Sequence, residues 1–277
     1  MNKLLHSVSK DIQPVNYNIS FDSKRIILKI NNNKLHDKII LFNKRYDKMW
    51  ETVDKLDKKL YEKIDYSLNY YKKFSQFLEQ EYETVHFSKG GIKLYEILKT
   101  YHLITNKSSL ETYHLCELPG SFVYSTDIFL KNETKVKSWK WTVQSLIRSN
   151  ALENTYNLSK KYKKSVNYGE TKNGNVTKIK NIKYYSKQLK HADIITSDCG
   201  TGDEKRNSFF YVTFASILTT ICGCKKGAHF IQKIYLPGNK TILSLMYICS
   251  VYFEETYIYK PTVNQHSPEI YLVMKNF

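Results

Sequence analysis

Between residues 36 and 84, apolar side chains recur at steps of three and four: Phe42, Tyr46, Met49, Val53, Leu56, Leu60, Ile64, Leu68, Tyr71, Phe74 and Leu78. That period predicts an amphipathic helix or a helical hairpin. Lys48, Lys55, Lys58, Lys59, Lys63, Lys72 and Lys73 fall on its opposite face. The preceding 35 residues are polar and Asn-rich, with one apolar run, "RIILKI", that predicts a short strand.

From about residue 86 the texture changes. "GGIKLYEILKTYHLI" predicts a helix entered through glycines, and "TYHLCEL" a strand. After a Pro-Gly turn, "FVYSTDIFL" predicts the next helix and "WKWTVQSL" the next strand. A polar, basic connector follows, then "VTKIKNIKYYSKQL" as a strand or turn and a helix. "ADIITSDCGTGDE" predicts a buried strand, "SFFYVTFASILTTICGC" a helix, "GAHFIQKIYL" a strand and "NKTILSLMYICSVYF" a helix. "ETYIYKP" and "EIYLVMKN" close the chain as two strands. Strands alternating with helices predict an α/β fold with a mostly parallel sheet. The last two strands have no helix between them and predict an antiparallel hairpin. The chain divides into a helical, basic extension (1–85) and a layered domain (86–277).

Composition adjusts this picture in three ways. Lys and Arg number 43 against 26 Asp and Glu, a net charge of +17 that favours a polyanionic partner. An AT-rich coding sequence inflates Lys, Asn, Ile and Tyr and accounts for part of it. The five cysteines, Cys116, Cys199, Cys222, Cys224 and Cys249, sit mainly in apolar runs, so buried, reduced thiols are expected. Cys222-Gly-Cys224 lacks the spacing of a zinc knuckle, and no metal site is expected. No run approaches the ~18 apolar residues of a membrane span. "MNKLLHSVSKDIQ" has no apolar core of signal-peptide length, which points to a cytoplasmic, soluble protein.

Ligands of open α/β sheets bind beyond the carboxyl ends of the strands. The polar residues there are Glu117, Pro119 and Gly120, then Asp198, Cys199 and Gly200, with Lys233 inside an apolar strand and Glu269 opening the last one. Gly120 allows close backbone approach to a ligand. A lysine is almost never fully buried unless paired, so Lys233 needs a carboxylate; Asp198 and Glu269 are the candidates.

These pieces, in this order, resemble the FtsJ/RrmJ family of S-adenosylmethionine-dependent RNA 2′-O-ribose methyltransferases. The likeness is greatest to its cap-specific mRNA branch and to the FtsJ-like proteins of large cytoplasmic DNA viruses. The family's "C-E-x-P-G-G-F" turn is similar to Cys116-Glu117-Leu118-Pro119-Gly120-Ser121-Phe122. Its helix lysine matches Lys93 in "GGIKLYEIL". Its "D-x-x-x-x-D-x-G" stretch matches Asp193 through Asp198 and Gly200, and its strand lysine matches Lys233 in "HFIQKIY". Its closing motif matches "KPTVNQHSPEIYLV" with Glu269. The resemblance covers residues 86 to 277. It implies a Rossmann-like class I methyltransferase fold with a seven-stranded sheet and helices on both faces.

It also implies a catalytic tetrad of Lys93, Asp198, Lys233 and Glu269. Lys233 would be the base, Lys93 would position the 2′-OH, and the two acids would hold the lysines. A lysine base needs a pKa brought down towards neutrality; a second lysine pushes it down and carboxylates push it up. S-adenosylmethionine would lie against Glu117, Pro119, Gly120, Ser121, Phe122, Ser145, Asn175 and Asp198. Ser121 replaces the family's second glycine, Asn175 stands where an adenine-gripping Asp is expected, and Ser145 aligns best with the ribose-binding acid. These departures leave room for help from a partner capping protein or a second copy. Lys160, Lys161, Lys163 and Lys164, set beside tyrosines, suit single-stranded RNA. The implied target is the first transcribed nucleotide of capped mRNA, in a host cytoplasm or virion. Ribosomal or transfer RNA methylation, or an RNA-binding scaffold that retains the fold, are the alternatives.

Overall fold

The structure is a computed structural model and describes residues 18–22, 25–29, 41, 44–45, 47–49, 51–53, 55–68, 71–82, 87–147, 165–200, 206–235, 240–264 and 267–277. The expected "RIILKI" strand is β2 (Arg25–Lys29), antiparallel to β1 (Asn18–Asp22) in a two-stranded sheet. The 3.6-residue period becomes, in its second half, two helices: α1 (Lys58–Leu68) and α2 (Tyr71–Glu81).

The rest is built on one seven-stranded sheet. Its strands are β3 (Ser109–Leu115), β4 (Ser138–Gln144), β5 (Val166–Asn167), β6 (Ile194–Ser197), β7 (His229–Tyr235), β8 (Glu255–Tyr259) and β9 (Glu269–Lys275). They lie in the order β5-β4-β3-β6-β7-β9-β8. Pairing is parallel from β5 through β7 and antiparallel on both sides of β9. The predicted closing hairpin therefore forms with β9 inserted between β7 and β8. Strands that run as unbroken apolar segments are those covered on both faces; all four residues of β6 are buried, as are the first six of β9.

The helices are α3 (Lys89–Tyr101), α4 (Ser121–Glu133), α5 (Ile179–Gln188), α6 (Arg206–Gly223) and α7 (Lys240–Tyr252). Helix α3 starts at Ser88, whose hydroxyl accepts the Gly91 N–H at 3.0 Å, an ordinary serine N-cap. It ends on His102 in the left-handed region. Ile92, Ile97 and Leu98 of α3 join Phe122, Ile128 and Phe129 of α4 in one core cluster with Leu110, Ile194, Ile231, Tyr271 and Val273 of the sheet. Each fully buried side chain of this size contributes roughly 1.5–3 kcal/mol.

At the amino ends of the strands, Asp193 holds the sheet together. Its carboxylate takes Lys107 at 2.6 Å and Lys225 at 2.8 Å on one oxygen, and the Glu111 N–H at 2.8 Å on the other. The first acid of the "D-x-x-x-x-D-x-G" stretch is thus a structural anchor at the edge opposite Asp198.

Candidate active site

Strand β3 ends in a compressed turn. Cys116 takes a positive φ of 61°, the Leu118–Pro119 peptide is cis, and Gly120 reaches φ 112° before α4 begins. Glycine adopts that conformation without the penalty a Cβ would bring. The turn is anchored by Gln144, fully buried at the end of β4. Its Oε1 accepts the Cys116 N–H at 3.1 Å, its main-chain oxygen accepts the Glu117 N–H at 3.1 Å, and its Nε2 donates to Gly174 O at 2.5 Å. One residue thereby ties two loops together at the carboxyl edge, the turn after β3 and the Gly174 loop. Gly174 packs so closely there that a Cβ on it would lie 1.7 Å from the Ser145 carbonyl oxygen.

Glu117 is buried, and its Oε1 accepts the Phe122 N–H at 2.5 Å at the start of α4. A carboxylate at a helix N-terminus is in a favourable field. Burial and the neighbouring Asp198 nonetheless push its carboxyl well above the usual range.

The two lysines and two acids of the expected tetrad meet in one place. Lys93 Nζ lies 2.5 Å from Glu269 Oε1, and both side chains are about nine-tenths buried. Lys233 Nζ lies 3.2 Å from Asp198 Oδ1 and donates to the Asp198 main-chain oxygen at 2.7 Å. The sheet register explains the convergence. In the antiparallel β7–β9 pair, Lys233 stands opposite Tyr271 and Tyr235 opposite Glu269. Residues two apart on a strand share a face, as do directly opposed residues. All four therefore project on the side covered by α3, which carries Lys93. Asp198 follows β6, the other neighbour of β7.

Tyr271 joins the two ion pairs. It is fully buried, donates its hydroxyl to Asp198 Oδ1 at 2.7 Å, and interacts with Glu269 as well. Burial lowers the Lys233 ammonium, but Asp198, Tyr235 and Glu269 outweigh it, so the amine is held above its ordinary value. The acidic groups around Lys233 thus prevail over its burial in this state of the protein. Lys260, of the "K-P" closing motif, donates to the main-chain oxygens of Ser267 and, at 2.9 Å, Glu269. Burial, with Lys93 and Lys89 adding to it, depresses its amine to about 8.

Other expectations are corrected. Cys116 and Cys199 are joined in a disulfide, not held as reduced thiols; their Cα atoms are 4.8 Å apart. The cause is topological: Leu115 of β3 and Ser197 of β6 are register partners, so the strand ends bring the two cysteines together. The Phe122 ring is fully buried in the core, 6.5 Å ring to ring from Tyr271. Ser121 packs beside Gly90 of α3. The Asn175 carbonyl oxygen is taken by the Thr177 N–H at 3.0 Å and hydroxyl at 2.7 Å, so its amide NH₂ is the group it can turn to a ligand. Lys160, Lys161, Lys163 and Lys164 lie outside the described residues. Gln144, Tyr271 and Lys260 were not singled out from the sequence.

A mostly parallel α/β sheet with a cluster of buried polar residues at its carboxyl edge, and an antiparallel β9 inserted beside β7, has the architecture of a Rossmann-like class I methyltransferase. Residues 87–277 match the FtsJ-like methyltransferase family, and the chain belongs to it. It is 30% identical over 225 residues to an uncharacterized protein of Acanthamoeba polyphaga mimivirus, covering 76% of this chain and 29% of that one. It is 29% identical over 244 residues to a probable methyltransferase of African swine fever virus, isolate Pig/Kenya/KEN-50/1950, covering 79% and 56%. It is 24% identical over 204 residues to cap-specific mRNA (nucleoside-2′-O-)-methyltransferase 2 of Drosophila melanogaster, covering 67% and 29%. The chain thus spans between about a third and somewhat over half of these relatives' lengths. A ribosomal RNA methyltransferase of Plasmodium falciparum superposes with a TM-score of 0.44 at 22% identity, over 69% of this chain and 98% of that one.

The cofactor of this family is S-adenosylmethionine, and the donor set fits it. Glu117 and Asp198 are neighbouring carboxyls whose mutual repulsion a bound cation relieves. The Gly120 turn brings main chain and the start of α4 to the same edge. Among the described residues, no helix is long and apolar enough to cross a membrane.

Proposed function

We propose that this chain transfers a methyl group to a ribose 2′-hydroxyl of RNA, at the first transcribed nucleotide of capped mRNA. The observation that carries this reading is the meeting of Lys93, Asp198, Lys233 and Glu269 in one buried cluster beside the Gly120 turn.

A 2′-hydroxyl is a poor nucleophile and must shed its proton as the new O–CH₃ bond forms. S-adenosylmethionine supplies an activated methyl group and, as a sulfonium, a positive charge. Lys233 is the group placed to take the proton. Asp198 fixes its Nζ through both the carboxylate and the main-chain oxygen. In the free protein this amine is held protonated. A positive charge brought beside it favours the neutral form, so cofactor binding and base activation are coupled. Lys93, locked to Glu269, presents a fixed ammonium that polarises the ribose oxygen. Glu117, Gly120, Ser121, Ser145, Asn175 and Asp198 line the cofactor side, and the connector lysines Lys160, Lys161, Lys163 and Lys164 track RNA. General-base transfer of this kind contributes about 10²–10⁴ in rate, and orientation of the reactants supplies much of the remainder.

The RNA target is supported by the name of the Drosophila relative and by the net charge of +17. The test is methyl transfer from labelled cofactor to matched RNAs: capped, uncapped, and capped with a 2′-deoxy first nucleotide. Transfer to the capped RNA alone is expected. Equal transfer to all three would overturn the assignment of both cap and nucleotide.

A further inference from the structure

Helix α5 lies in the methyltransferase domain; Asn181 on its buried face donates to the Asn175 main-chain oxygen at 2.8 Å, but its exposed face takes no part in the site described above. Lys180, Lys183, Lys187 and, in the 3₁₀ turn that continues it, Lys190 follow one another at steps of three, four and three. Such spacing puts side chains on one face of a helix. All four are exposed, while Asn181, Tyr185, Ser186 and Leu189 bury the opposite face.

No Asp or Glu occurs between Glu170 and Asp193, and Asp193 already holds Lys107 and Lys225. Some exposed lysines elsewhere in the domain are paired: Lys99 with Glu133, Lys131 with Asp127, Lys140 with Glu111. The α5 lysines make no ion pair among the described residues. Like charges three and four apart weaken a helix, and α5 also has no acid in its first turn to complement its dipole. A helix that carries this arrangement at a cost to its own stability is suited to a polyanion that removes the cost.

Its placement fits that partner. Helix α5 begins just after the Gly174–Asn175 turn that Gln144 anchors at the carboxyl edge. It then runs back to the amino end of β6. Ten residues at 1.5 Å rise give a stripe about 15 Å long, leading away from the site edge and matching roughly four phosphates of one strand. We infer that the Lys180–Lys190 face of α5 is a docking surface for the sugar-phosphate backbone of the RNA whose ribose is methylated; this rests on the RNA reading above.

The test uses the full chain and fluorescent single-stranded RNA several times longer than the stripe. Wild type is compared with Lys180→Gln/Lys183→Gln/Lys187→Gln, the matching triple Arg variant, and a control triple Gln variant at the exposed α1 residues Lys58, Lys59 and Lys63. Removing three phosphate contacts should weaken binding about tenfold or more at low salt and flatten the slope of log affinity against log salt by about 2. The Arg variant and the α1 control should bind as wild type does. Methyl transfer to a capped dinucleotide, too short to reach α5, should be unchanged in the Gln variant. An unaltered slope in the α5 Gln variant overturns the proposal, as does an equal loss in the α1 control. So does loss of binding to phosphatidylserine vesicles with RNA binding intact, which would make the face a membrane contact. Binding needs no turnover, so a wild type that binds RNA through α5 but methylates none would refute the enzymatic reading and leave the surface standing.

Discussion

The hydroxyl of Tyr271 sits 2.7 Å from Asp198 Oδ1, the same oxygen that faces the Lys233 ammonium at 3.2 Å. A phenol on β9 therefore orients an acid that follows β6, and that acid orients an amine on β7. Tyr271→Phe removes this tether without changing the ring that fills the core. Asp198 is partly exposed, so water can replace the phenol, and the stability cost should stay near 1 kcal/mol. Turnover should fall about tenfold while cofactor affinity changes little, as initial rates and calorimetry on the same preparation would read.

The Lys93–Glu269 pair predicts a separation of stability from activity. Removing one member leaves a buried charge and typically costs ~3–5 kcal/mol, whereas replacing both with apolar groups is often neutral. Lys93→Met should be strongly destabilised in a denaturant melt. Lys93→Met/Glu269→Leu should recover most of that loss and remain inactive.

The Cys116–Cys199 disulfide closes a loop of 83 residues across the two strand ends that carry Glu117 and Asp198. A native bridge of this kind contributes about 2–4 kcal/mol, largely through the unfolded chain. Cys116→Ser/Cys199→Ser, or treatment with a dithiol, should lower the melting temperature. Because both cysteines flank acids proposed to face the cofactor, Glu117 and Asp198, cofactor affinity should weaken in parallel. The serine variant should be insensitive to reductant.

His114 gives an acid limit to stability. It is fully buried between the hydroxyls of Thr112 and Thr196, each 2.9 Å from a ring nitrogen, and burial depresses its pKa to about 3. The unfolded chain takes up this proton near pH ~6.5. Stability is therefore complete above that pH and is lost progressively as pH falls towards 3, by at most about 5 kcal/mol. His229, depressed to about 4 by burial, acts in the same direction. Urea melts between pH 7 and 4.5 should show a shallower decline for His114→Gln than for wild type.

Much of this was legible in the sequence, for identifiable reasons. Strands β6, β7 and β9 were legible as buried, largely apolar segments, with Lys233 standing out as a charge inside one, whereas β5 (Val166–Asn167) lies in the stretch expected to be a polar connector. The tetrad was legible through the resemblance of the motifs around Lys93, Asp198, Lys233 and Glu269 to the FtsJ/RrmJ family. The disulfide was hidden because the two cysteines are neighbours only if β3 and β6 are, which strand order decides and local pattern does not. Gln144 and Tyr271 look like ordinary polar members of their strands; only the tertiary contacts reveal one as the anchor of two loops and the other as the bridge between ion pairs. The aromatic of the "P-G-S-F" turn packs into the core, and its N–H donates to Glu117.

The central claim is that Lys233 removes the proton from the attacking hydroxyl. Its most direct test is single-turnover methyl transfer to capped RNA as a function of pH, in wild type and in Lys233→Met, with cofactor binding measured in both. The account predicts a wild-type rate that rises with pH as the ammonium deprotonates. It predicts a loss of about 10² or more in Lys233→Met with the pH dependence abolished and cofactor still bound. A Lys233→Met protein that methylates at the wild-type rate with the same pH profile would contradict it.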